Sequence, residues 1–421
     1  MSDPRSTLLS MDEALERLLA AVQPLAGTEW LPTAEAGGRV LAEDLISPLD
    51  VPPHDNSAMD GYALRVADVP APGTVLPVSQ RVPAGSTPRP LQPGTAARIF
   101  TGAPVPEGAD AVLMQESCEA LPAADGAAGG LGQVRILAPL TPGLAIRRRG
   151  EDLHRGQRVL AAGLRLHAGS LGLAATAGAA RLRVARKPRV ALFSTGDELV
   201  MPGLPLGPGQ IYNSNRSTLH ALLLALGCEV RDLGLVPDSL AATRAALREA
   251  ASVAGGADLI LSSGGVSVGE EDHLKPALQA EGRLDLWQIA IKPGKPLAFG
   301  EVHRPDGEGK TWVLGLPGNP VSSFVTFLLF VRPVLLRMQG AMQLQPRAWP
   351  LPAGFRWTKG DKRREFLRAR LDDEGRLQLF GNQSSGVLSS AAWADGLVEL
   401  APGATVEPGQ TLRFLPFSEL F

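Results

Sequence analysis

The first residues carry a helical pattern of apolar and polar positions. Ser10 and Glu13 stand in the order of a capping box, in which the two side chains satisfy free amides at the start of a helix. Apolar residues then recur at helical spacing up to Val22, and Pro24 cannot continue the helix. The pattern predicts an amphipathic N-terminal helix.

From Trp30 to about Glu116 the pattern changes to short apolar runs broken by proline and glycine, which is typical of strands and turns. Further short segments follow, and a break comes at Arg186, Lys187 and Pro188. The low-complexity segment 120–132 is expected to be a surface insertion. The predicted elements are strands at 75–82, 96–100, 157–161 and 182–185 and a helix at 167–177.

Beyond Pro188, strand-like and helix-like runs alternate, which predicts a parallel α/β sheet. The predicted strands are 189–193, 229–236, 258–261, 287–291 and 312–316, and the predicted helices are 219–226, 240–253 and 321–338. The apolar run 327–331 inside the last helix fits a protein core and a subunit contact equally well. Beyond Pro346 the pattern returns to hairpins, with a turn at 373–375, and predicts a small terminal β domain.

The charge balance excludes two classes of partner. Lys and Arg number 41 against 43 Asp and Glu, a net charge of −2, so we expect neither nucleic acid nor a membrane surface to bind.

Cys118 and Cys228 lie far apart, which argues against a disulfide framework, a zinc site or an iron–sulfur cluster. We expect no signal peptide and no membrane span, because no apolar stretch reaches the roughly 18 residues that a span needs. These features predict a cytoplasmic protein.

Ligands of an open α/β sheet bind beyond the carboxyl ends of its strands. Here the loops at those ends combine glycine, proline, lysine and carboxylates, and they lie at 194–198, 237–238, 262–272, 292–296 and 315–320. Glycine lets the backbone approach a phosphate, lysine supplies positive charge, and the amides of a helix N-terminus attract an anion. One such loop alone would be an ordinary turn, but this set on one edge predicts a site for a phosphorylated ligand.

Several carboxylates belong to the same loops. They would repel a phosphate unless a hard cation lies between the two groups. We therefore expect Mg²⁺ or another divalent cation, and the pattern does not decide which carboxylates hold it. The candidate ligands are Asp197, Glu198, Asp238 and Asp272.

Two other motifs carry less weight. Ser267 stands in a G-x-S-x-G pattern, with Asp285 and His303 following in the order of a hydrolase triad. A hydrolase is disfavoured because Ser267 lies several residues beyond the strand and beside carboxylates that would destabilise an oxyanion. The arginines at 147–149 fit a solvated loop and an anion clamp equally well.

Six segments in a fixed order resemble those of the molybdopterin molybdenumtransferase family, which includes bacterial MoeA and the E domain of gephyrin. The segments are DNSAMDGYA at 55–63, TGAPVP at 101–106, STGDEL at 194–199, SGGVSVG at 263–269, KPGKP at 292–296 and LPGNP at 316–320. The ordered series is highly specific and spans nearly the whole chain. It implies insertion of molybdate into adenylylated molybdopterin, which forms molybdenum cofactor and releases AMP in a divalent-metal-dependent reaction.

The resemblance also implies a multidomain α/β plus β fold and a homodimer of elongated subunits. Residues 187–332 would form a MogA-like three-layer α/β molybdopterin-binding domain, and 333–421 a C-terminal β barrel. Residues 1–50 and 141–186 would form the N-terminal helix and a linking α+β domain. Residues 51–140 would form a small β-rich domain that contributes to the active cleft of the partner subunit.

The motifs imply roles for individual residues. Those expected to be catalytic are Asp60, Thr101, Glu198, Asp238, Asp272 and Lys292. Those expected to bind substrate are Ser194, Thr195, Gly196, Asp197, Ser263, Gly264, Gly265, Ser267, Gly269, Lys295, Pro317, Gly318, Asn319 and Pro320. Gln288 stands where a bacterial relative carries a lysine, so the resemblance implies that one cationic contact is replaced.

Two alternative functions remain at this point. Molybdopterin adenylyltransferases share the α/β domain and a similar SGG loop but lack the flanking domains, so domain content argues against them. A binding scaffold is the other alternative, because the E domain of gephyrin also anchors receptors. Convergent carboxylates and lysines favour an enzyme. Contacts with molybdopterin adenylyltransferase and with molybdoenzymes are the protein partners that the family implies.

Overall fold

The computed structural model describes residues 8–123, 130–252, 256–266, 273–304 and 309–421. Helix α1 (Met11–Ala21) begins at the predicted capping box. The Ser10 Oγ accepts a hydrogen bond from the Glu13 amide at 3.2 Å, and the Glu13 carboxylate accepts one from the Ser10 amide at 2.9 Å. Leu15 and Leu18 are buried in the core of the α/β part. The predicted amphipathic helix is confirmed.

The N-terminal part consists of short strands and one further helix. Its elements are β1 (Thr28–Pro32), β2 (Leu45–Ile46), β3 (Asn56–Ser57), β4 (Gly61–Leu64), β5 (Val75–Val82), β6 (Ala96–Ile99), β7 (Ala111–Met114), β8 (Cys118–Leu121), β9 (Gln133–Ile136), β10 (Ile146–Arg147), β11 (Arg158–Leu160), α2 (Ala168–Thr176) and β12 (Arg181–Ala185). The strands of its main sheet stand in the order β7-β4-β6-β5-β9-β8. The predicted strands at 75–82 and 96–100 are confirmed as β5 and β6.

The two ends of this part lie side by side. Strand β1 pairs with β12 in antiparallel register, with Thr28 opposite Ala185, and β2 pairs with β11. These pairings join residues before 50 to residues after 141, which supports the division into 1–50 with 141–186 and a separate 51–140. The domain boundaries themselves stay predictions.

The α/β part follows. Its elements are β13 (Arg189–Thr195), β14 (Leu199–Val200), β15 (Ile211–Tyr212), α3 (Ser214–Ala225), β16 (Glu229–Val236), α4 (Leu240–Ser252), β17 (Leu259–Ser263), α5 (Leu274–Glu281), β18 (Gly282–Gln288), β19 (Ile291–Lys292), β20 (Pro296–His303), β21 (Lys310–Leu316), α6 (Pro320–Thr326) and α7 (Arg332–Met338). The main sheet has the order β16-β13-β17-β21-β20-β18. Strands β16, β13, β17 and β21 are parallel, whereas β20 runs antiparallel to both of its neighbours, β21 and β18.

The parallel strands are buried on both faces, because successive side chains of a strand point to opposite sides. In β13, Val190 and Leu192 pack in a cluster with α3, α6 and α7. The alternate residues Ala191 and Phe193 pack in a cluster with α4 and α5. The predicted three-layer α/β domain is confirmed.

The predicted strands of the main sheet need two corrections. The strand predicted at 287–291 in fact runs from Gly282 to Gln288 as the edge strand β18. Its polar Arg283 and Asp285 alternate with leucines, and a search for continuous apolar runs misses that alternation. Strand β20 was not predicted, although Leu297 and Phe299 in it are buried. The sheet predicted as parallel is therefore a mixed sheet, in which β20 runs antiparallel to both of its neighbours.

The segment Pro320–Met338 is long and apolar enough to meet a length-and-composition test for a membrane span, contrary to expectation, but 94% of the apolar window lies buried inside the protein. Between α6 and α7 it forms a π-helical turn at Phe327–Val331, whose side chains are all buried. The run 327–331 therefore belongs to the core of its own subunit.

The C-terminal part is a sheet with one short helix. Its elements are β22 (Trp349–Pro352), β23 (Arg364–Leu371), β24 (Leu377–Leu379), α8 (Ser389–Trp393), β25 (Gly396–Leu400) and β26 (Thr411–Pro416). The strand order is β19-β23-β25-β26-β22, so a strand of the α/β part continues this sheet. The predicted turn is confirmed, since the Gly375 amide donates to the Asp372 carbonyl at 3.0 Å.

Short 3-10 turns occur in both the N-terminal and the C-terminal parts. They lie at Thr33–Glu35, Val66–Asp68, Gln115–Ser117 and Phe417–Glu419.

Candidate active site

The carboxyl ends of three neighbouring parallel strands meet at one edge of the main sheet. In register, Ser194 of β13 lies opposite Ser263 of β17, which lies opposite Leu316 of β21. The buried hydroxyls of Ser194 and Ser263 are 3.0 Å apart, and the Gly264 amide donates to the Leu316 carbonyl at 3.1 Å. The loops that follow these strands therefore start from one fixed platform.

A cavity of about 730 Å³ lies at this edge. The residues predicted from the sequence that line it are Thr195, Gly196, Glu198, Asp238, Ser263, Gly264, Gly265, Lys292, Lys295, Pro317, Gly318, Asn319 and Pro320. Ser194 is fully buried below the lining, and Asp197 lies beside the cavity, where its carboxylate accepts a hydrogen bond from the Asp238 amide at 3.2 Å. Ser267, Gly269 and Asp272 lie outside the described residues.

Sequence reasoning missed one group of lining residues on β14, on β15 and around the start of α3: Leu199, Ile211, Tyr212, Asn213, Ser214 and Asn215. Asn213 is the N-cap of α3, and its side-chain Oδ1 accepts a hydrogen bond from the Arg216 amide at 3.1 Å. Asn215 donates to the Gly318 carbonyl at 2.8 Å and so ties α3 to the LPGNP loop. The preference of asparagine for the N-cap was the signal that could have identified this segment.

A second missed group comes from the C-terminal part: Arg363, Gln383, Ser384 and Ser385. Ser385 is held against the α/β part, because its carbonyl accepts a hydrogen bond from the Val321 amide at 2.9 Å. No local sequence pattern marks these residues, since they reach the cavity only through the packing of two distant sheets. The site is thus shared by the α/β part and the C-terminal sheet.

Gly264 allows two of the loops to touch. Its φ is +89°, a conformation that favours glycine, and a Cβ there would lie 2.5 Å from the Thr195 carbonyl oxygen. Both the backbone conformation and the available space therefore require glycine. Without it, the loops after β13 and β17 could not approach each other at the cavity wall.

Lys292 and Arg363 form a cationic wall of the cavity, and carboxylates hold both side chains in place. The Lys292 Nζ lies 3.0 Å from the Glu365 Oε1 and 3.5 Å from the Asp361 Oδ2. Arg363 donates to both oxygens of Asp361, at 2.9 and 3.0 Å. These bonds from Arg363 are the main reason that the pKa of Asp361 lies well below its usual range. Two cations on one side of the cavity thus share one ionised carboxylate.

The chain matches three family models in succession: "MoeA N-terminal region (domain I and II)" over residues 9–178, "Probable molybdopterin binding domain" over 191–337 and "MoeA C-terminal region (domain IV)" over 350–417. It is 40% identical over 420 residues to the molybdopterin molybdenumtransferase of Haemophilus influenzae, covering 98% of this chain and 100% of that one. The chain belongs to the molybdopterin molybdenumtransferase family. The resemblance predicted from the six motifs is confirmed.

Other members of the family are similar over comparable lengths. Molybdopterin molybdenumtransferase 2 of Mycobacterium tuberculosis is 38% identical over 91% of this chain and 94% of that protein. The crystal structure of the molybdopterin biosynthesis MoeA protein from Pyrococcus horikoshii superposes with a TM-score of 0.81 at 28% identity, over 97% of this chain and 100% of that one. The predicted fold class of this family is therefore confirmed as well.

The carboxylates that the loop sequences predict as metal ligands are only partly brought together. Glu198 and Asp238 both line the cavity, and Asp197 contacts the Asp238 backbone. Within the described ranges, no group of three or more His, Cys, Asp or Glu side chains is arranged to hold a metal ion. Mg²⁺ usually needs only one or two protein carboxylates, with waters and substrate phosphates completing its shell. Glu198 and Asp238 fit that mode of binding.

Asp60 and Thr101 lie together in the N-terminal part, and neither lines the cavity of the same chain. The amide and the hydroxyl of Thr101 both donate to the Asp60 Oδ1, each at 2.7 Å. These hydrogen bonds lower the pKa of Asp60. An ionised carboxylate is therefore held at the surface of this part, away from the cavity of its own subunit.

Two further sequence features find a place in the structure. Arg148 and Arg149 form ion pairs with Asp55 and Asp50, each at 2.6 Å, so two of the clustered arginines tie down their own loop. This favours the loop role over the anion clamp. Gln288 ends strand β18 opposite Pro296, and it is not among the described lining residues of the cavity.

The alternative hydrolase triad is not assembled. Ser267 lies outside the described residues, so its position is not tested. Asp285 lies opposite Phe299 on the paired strands β18 and β20, whereas His303 lies beyond the end of that pairing. His303 is four residues beyond Phe299, which places it roughly 13 Å along the strand from Asp285 at the usual rise per residue of a β-strand. Asp285 is paired with Arg283 at 3.4 Å instead.

Proposed function

We propose that this chain inserts molybdate into adenylylated molybdopterin, forming molybdenum cofactor and releasing AMP. The observation that carries the proposal is the meeting of Lys292 and Lys295 with Glu198 and Asp238 around one cavity. Cations bind the oxyanions of molybdate and of the adenylyl phosphates, and carboxylates suit a divalent cation. Relatives of this chain that are named molybdopterin molybdenumtransferase support the same activity.

The lining residues divide the work of binding and orientation. Lys292, Lys295 and Arg363 would bind the oxyanions, and the glycine-rich loop at Gly264 would bring backbone amides close to them. In the reaction, the two dithiolene sulfurs bond to molybdenum while molybdate loses one oxygen as water. The phosphoanhydride takes up one water as it is cleaved to AMP and the terminal phosphate of molybdopterin. Positive groups placed where negative charge gathers on the leaving AMP lower the barrier.

Mg²⁺ or another divalent cation is the second element of the proposal. Glu198 and Asp238 would hold it, with Asp197 and Asp272 as further candidates, and it would neutralise phosphate charge. Glu198→Gln and Asp238→Asn should each raise the Mg²⁺ concentration needed for half-maximal AMP release. Unchanged Mg²⁺ dependence in both variants would remove these two residues from the metal site.

The decisive measurement is AMP release from adenylylated molybdopterin with and without molybdate. We expect molybdate-dependent release, inhibited by tungstate, that falls about 100-fold or more in Lys292→Met, because removing one preorganised charged contact has effects of that order. Lys310→Met is the matched control, since Lys310 begins β21 at the end opposite the cavity and pairs with Glu301 at 2.7 Å. It should keep wild-type turnover.

Each alternative function gives a different result in the same assay. Tight binding of adenylylated molybdopterin without turnover would support a scaffold. AMP release that does not depend on molybdate would support a phosphohydrolase. Formation of adenylylated molybdopterin from ATP would support an adenylyltransferase, although the matched regions 9–178 and 350–417 argue against it.

We further propose a homodimer in which Asp60 and Thr101 complete the cavity of the partner subunit. Their absence from the cavity of their own chain supports this arrangement. Asp60→Asn and Lys292→Met should each have little activity alone, whereas a mixed dimer would carry one site with both changes and one intact site. If random mixing makes half of the dimers mixed, a quarter of all sites regain activity. No recovery on mixing would place both residues in one subunit's site or in none.

The cytoplasm is the cellular setting that we propose. Cys118 and Cys228 are free thiols, and Cys228 is buried, which is compatible with a reducing cytoplasm. Contacts with molybdopterin adenylyltransferase and with molybdoenzymes stay predictions of the family resemblance. Pull-down of each partner with the full chain tests them directly.

A further inference from the structure

We propose that Glu365, in the C-terminal sheet, is a positioning residue that holds Lys292 for the reaction proposed above, on which this inference rests. The two residues are far apart in sequence but are register partners, because the short strand β19 pairs in parallel with β23. The Arg364 amide also donates to the Ala290 carbonyl at 3.0 Å beside this pairing. The backbone thus brings Glu365 to the KPGKP loop before any side-chain contact is considered.

The Glu365 carboxylate has a fixed set of partners. Its side chain is 1% exposed, and its Oε1 lies 3.0 Å from the Lys292 Nζ. Its Oε2 accepts hydrogen bonds from the Trp357 indole at 3.2 Å and from the Asp361 amide at 3.0 Å. A buried charge is tolerated only when it is paired and hydrogen-bonded. The C-terminal sheet therefore determines where this negative charge stands.

Lys292 links that buried charge to the active-site cavity. Its side chain is 42% exposed and lines the cavity of about 730 Å³. It also lines a second cavity of about 300 Å³, together with Trp357, Glu365 and Arg368. A lysine side chain has a flexible four-carbon stem, so space on both sides allows its ammonium group several positions. The ion pair with Glu365 selects one of them.

The charge of Glu365 makes its role distinguishable from that of a binding residue. A carboxylate close to an oxyanion site weakens anion binding, because like charges repel. A residue that opposes binding yet fixes the position of a cation should act on the rate of the bound complex. We therefore expect the loss of this charge to lower kcat without raising the KM for molybdate.

The test is Glu365→Gln in the full chain. Glutamine has the shape of glutamate, and its oxygen can keep the bonds from Trp357 and the Asp361 amide, while the charge facing Lys292 is lost. Glu399→Gln is the matched control, since Glu399 lies on the neighbouring strand β25 and pairs with Arg413 at 3.0 Å. We expect kcat for AMP release to fall about tenfold in Glu365→Gln, with KM for molybdate equal or lower, and no change in the control.

Two further measurements separate positioning from a general structural role. In a Lys292→Met background, Glu365→Gln should produce no additional loss, because the group that it positions is already gone. Acetylation of Lys292, followed by mass spectrometry on the substrate-free protein, should be faster in Glu365→Gln than in the wild type, with Lys295 as internal reference. Glu365→Asp, which withdraws the carboxylate by one methylene, should shift both readouts in the same direction if Glu365→Gln does not fold.

The proposal would be overturned by a kcat of Glu365→Gln within twofold of the wild type or by unchanged acetylation of Lys292. It would also be overturned if Glu365→Gln lowered kcat as much in the Lys292→Met background as in the wild type. A raised KM with unchanged kcat would also overturn it, because that is the signature of a binding residue. If the wild-type chain released no AMP, the proposed function would fail. The acetylation rates would still decide whether Glu365 holds Lys292.

Discussion

Gly264→Ala tests how closely the loops of the site must pack. Gly264 has φ of +89°, and a Cβ there would lie 2.5 Å from the Thr195 carbonyl oxygen. Ordinary contact begins at 3.4 Å, so the two backbones must separate by about 0.9 Å. The left-handed conformation adds a further cost of about 1–2 kcal/mol for alanine. Because a misplacement of about 1 Å can lower a rate 100-fold, we expect that loss in molybdate-dependent AMP release.

Gly227→Ala is the control for the backbone term alone. Gly227 follows helix α3 with φ of +75°, and no atom lies within 4 Å of the added Cβ. Urea unfolding should therefore show a loss of about 1–2 kcal/mol in Gly227→Ala and a larger one in Gly264→Ala. Only Gly264→Ala should lose turnover. If its turnover stays within about threefold of that of Gly227→Ala, close contact between these loops is not needed for the reaction.

Two further predictions concern the frame around the site and the thiols. Asp258 is 3% exposed and accepts two 2.7 Å hydrogen bonds from Arg186. Asp258→Asn should therefore lower the free energy of unfolding by roughly 2–3 kcal/mol. This loss is smaller than for a fully buried pair because Arg186 is 26% exposed. Glu43→Gln, which removes the exposed pair of Glu43 with Arg183, should lose less than about 1 kcal/mol in the same urea titration. Equal losses in the two variants would contradict the argument. Burial raises the pKa of the Cys118 thiol to about 11 and of the Cys228 thiol to about 12. Both thiols should therefore resist iodoacetamide at pH 7 until the chain unfolds, and rapid alkylation of Cys118 in the folded protein, seen by mass spectrometry, would refute this.

The part of the site that follows directly from strand ends could be predicted from the sequence. Parallel strands end at the same edge of a sheet, so finding the strands that end at Thr195, Ser263 and Leu316 was enough to bring their loops together. Lys292 and Lys295 were found through the composition of their loop rather than through a correct strand assignment. Local composition therefore identified residues even where the neighbouring element was placed wrongly.

The residues contributed by other parts of the chain could not be predicted in this way. Arg363 and Ser384 reach the cavity because strand β19 joins the C-terminal sheet, and such a pairing depends on distant contacts rather than on a local pattern. Asn213 was missed for a different reason. The predicted helix begins at Leu219, whereas α3 begins at Ser214, directly after Asn213 as its N-cap.

The arrangement of charges suggests why two parts of the chain share the cationic wall. Two negative groups about 4 Å apart repel each other by about 4 kcal/mol at the effective dielectric of a protein surface, so a site for molybdate beside phosphates needs several cations close together. Cations so placed repel one another before substrate arrives. Asp361 lies between Lys292 and Arg363 and contacts both, so it stabilises the empty wall. The C-terminal sheet, which supplies both Asp361 and Glu365, thereby keeps Lys292 of the α/β loop beside Arg363 until an oxyanion replaces part of that negative charge.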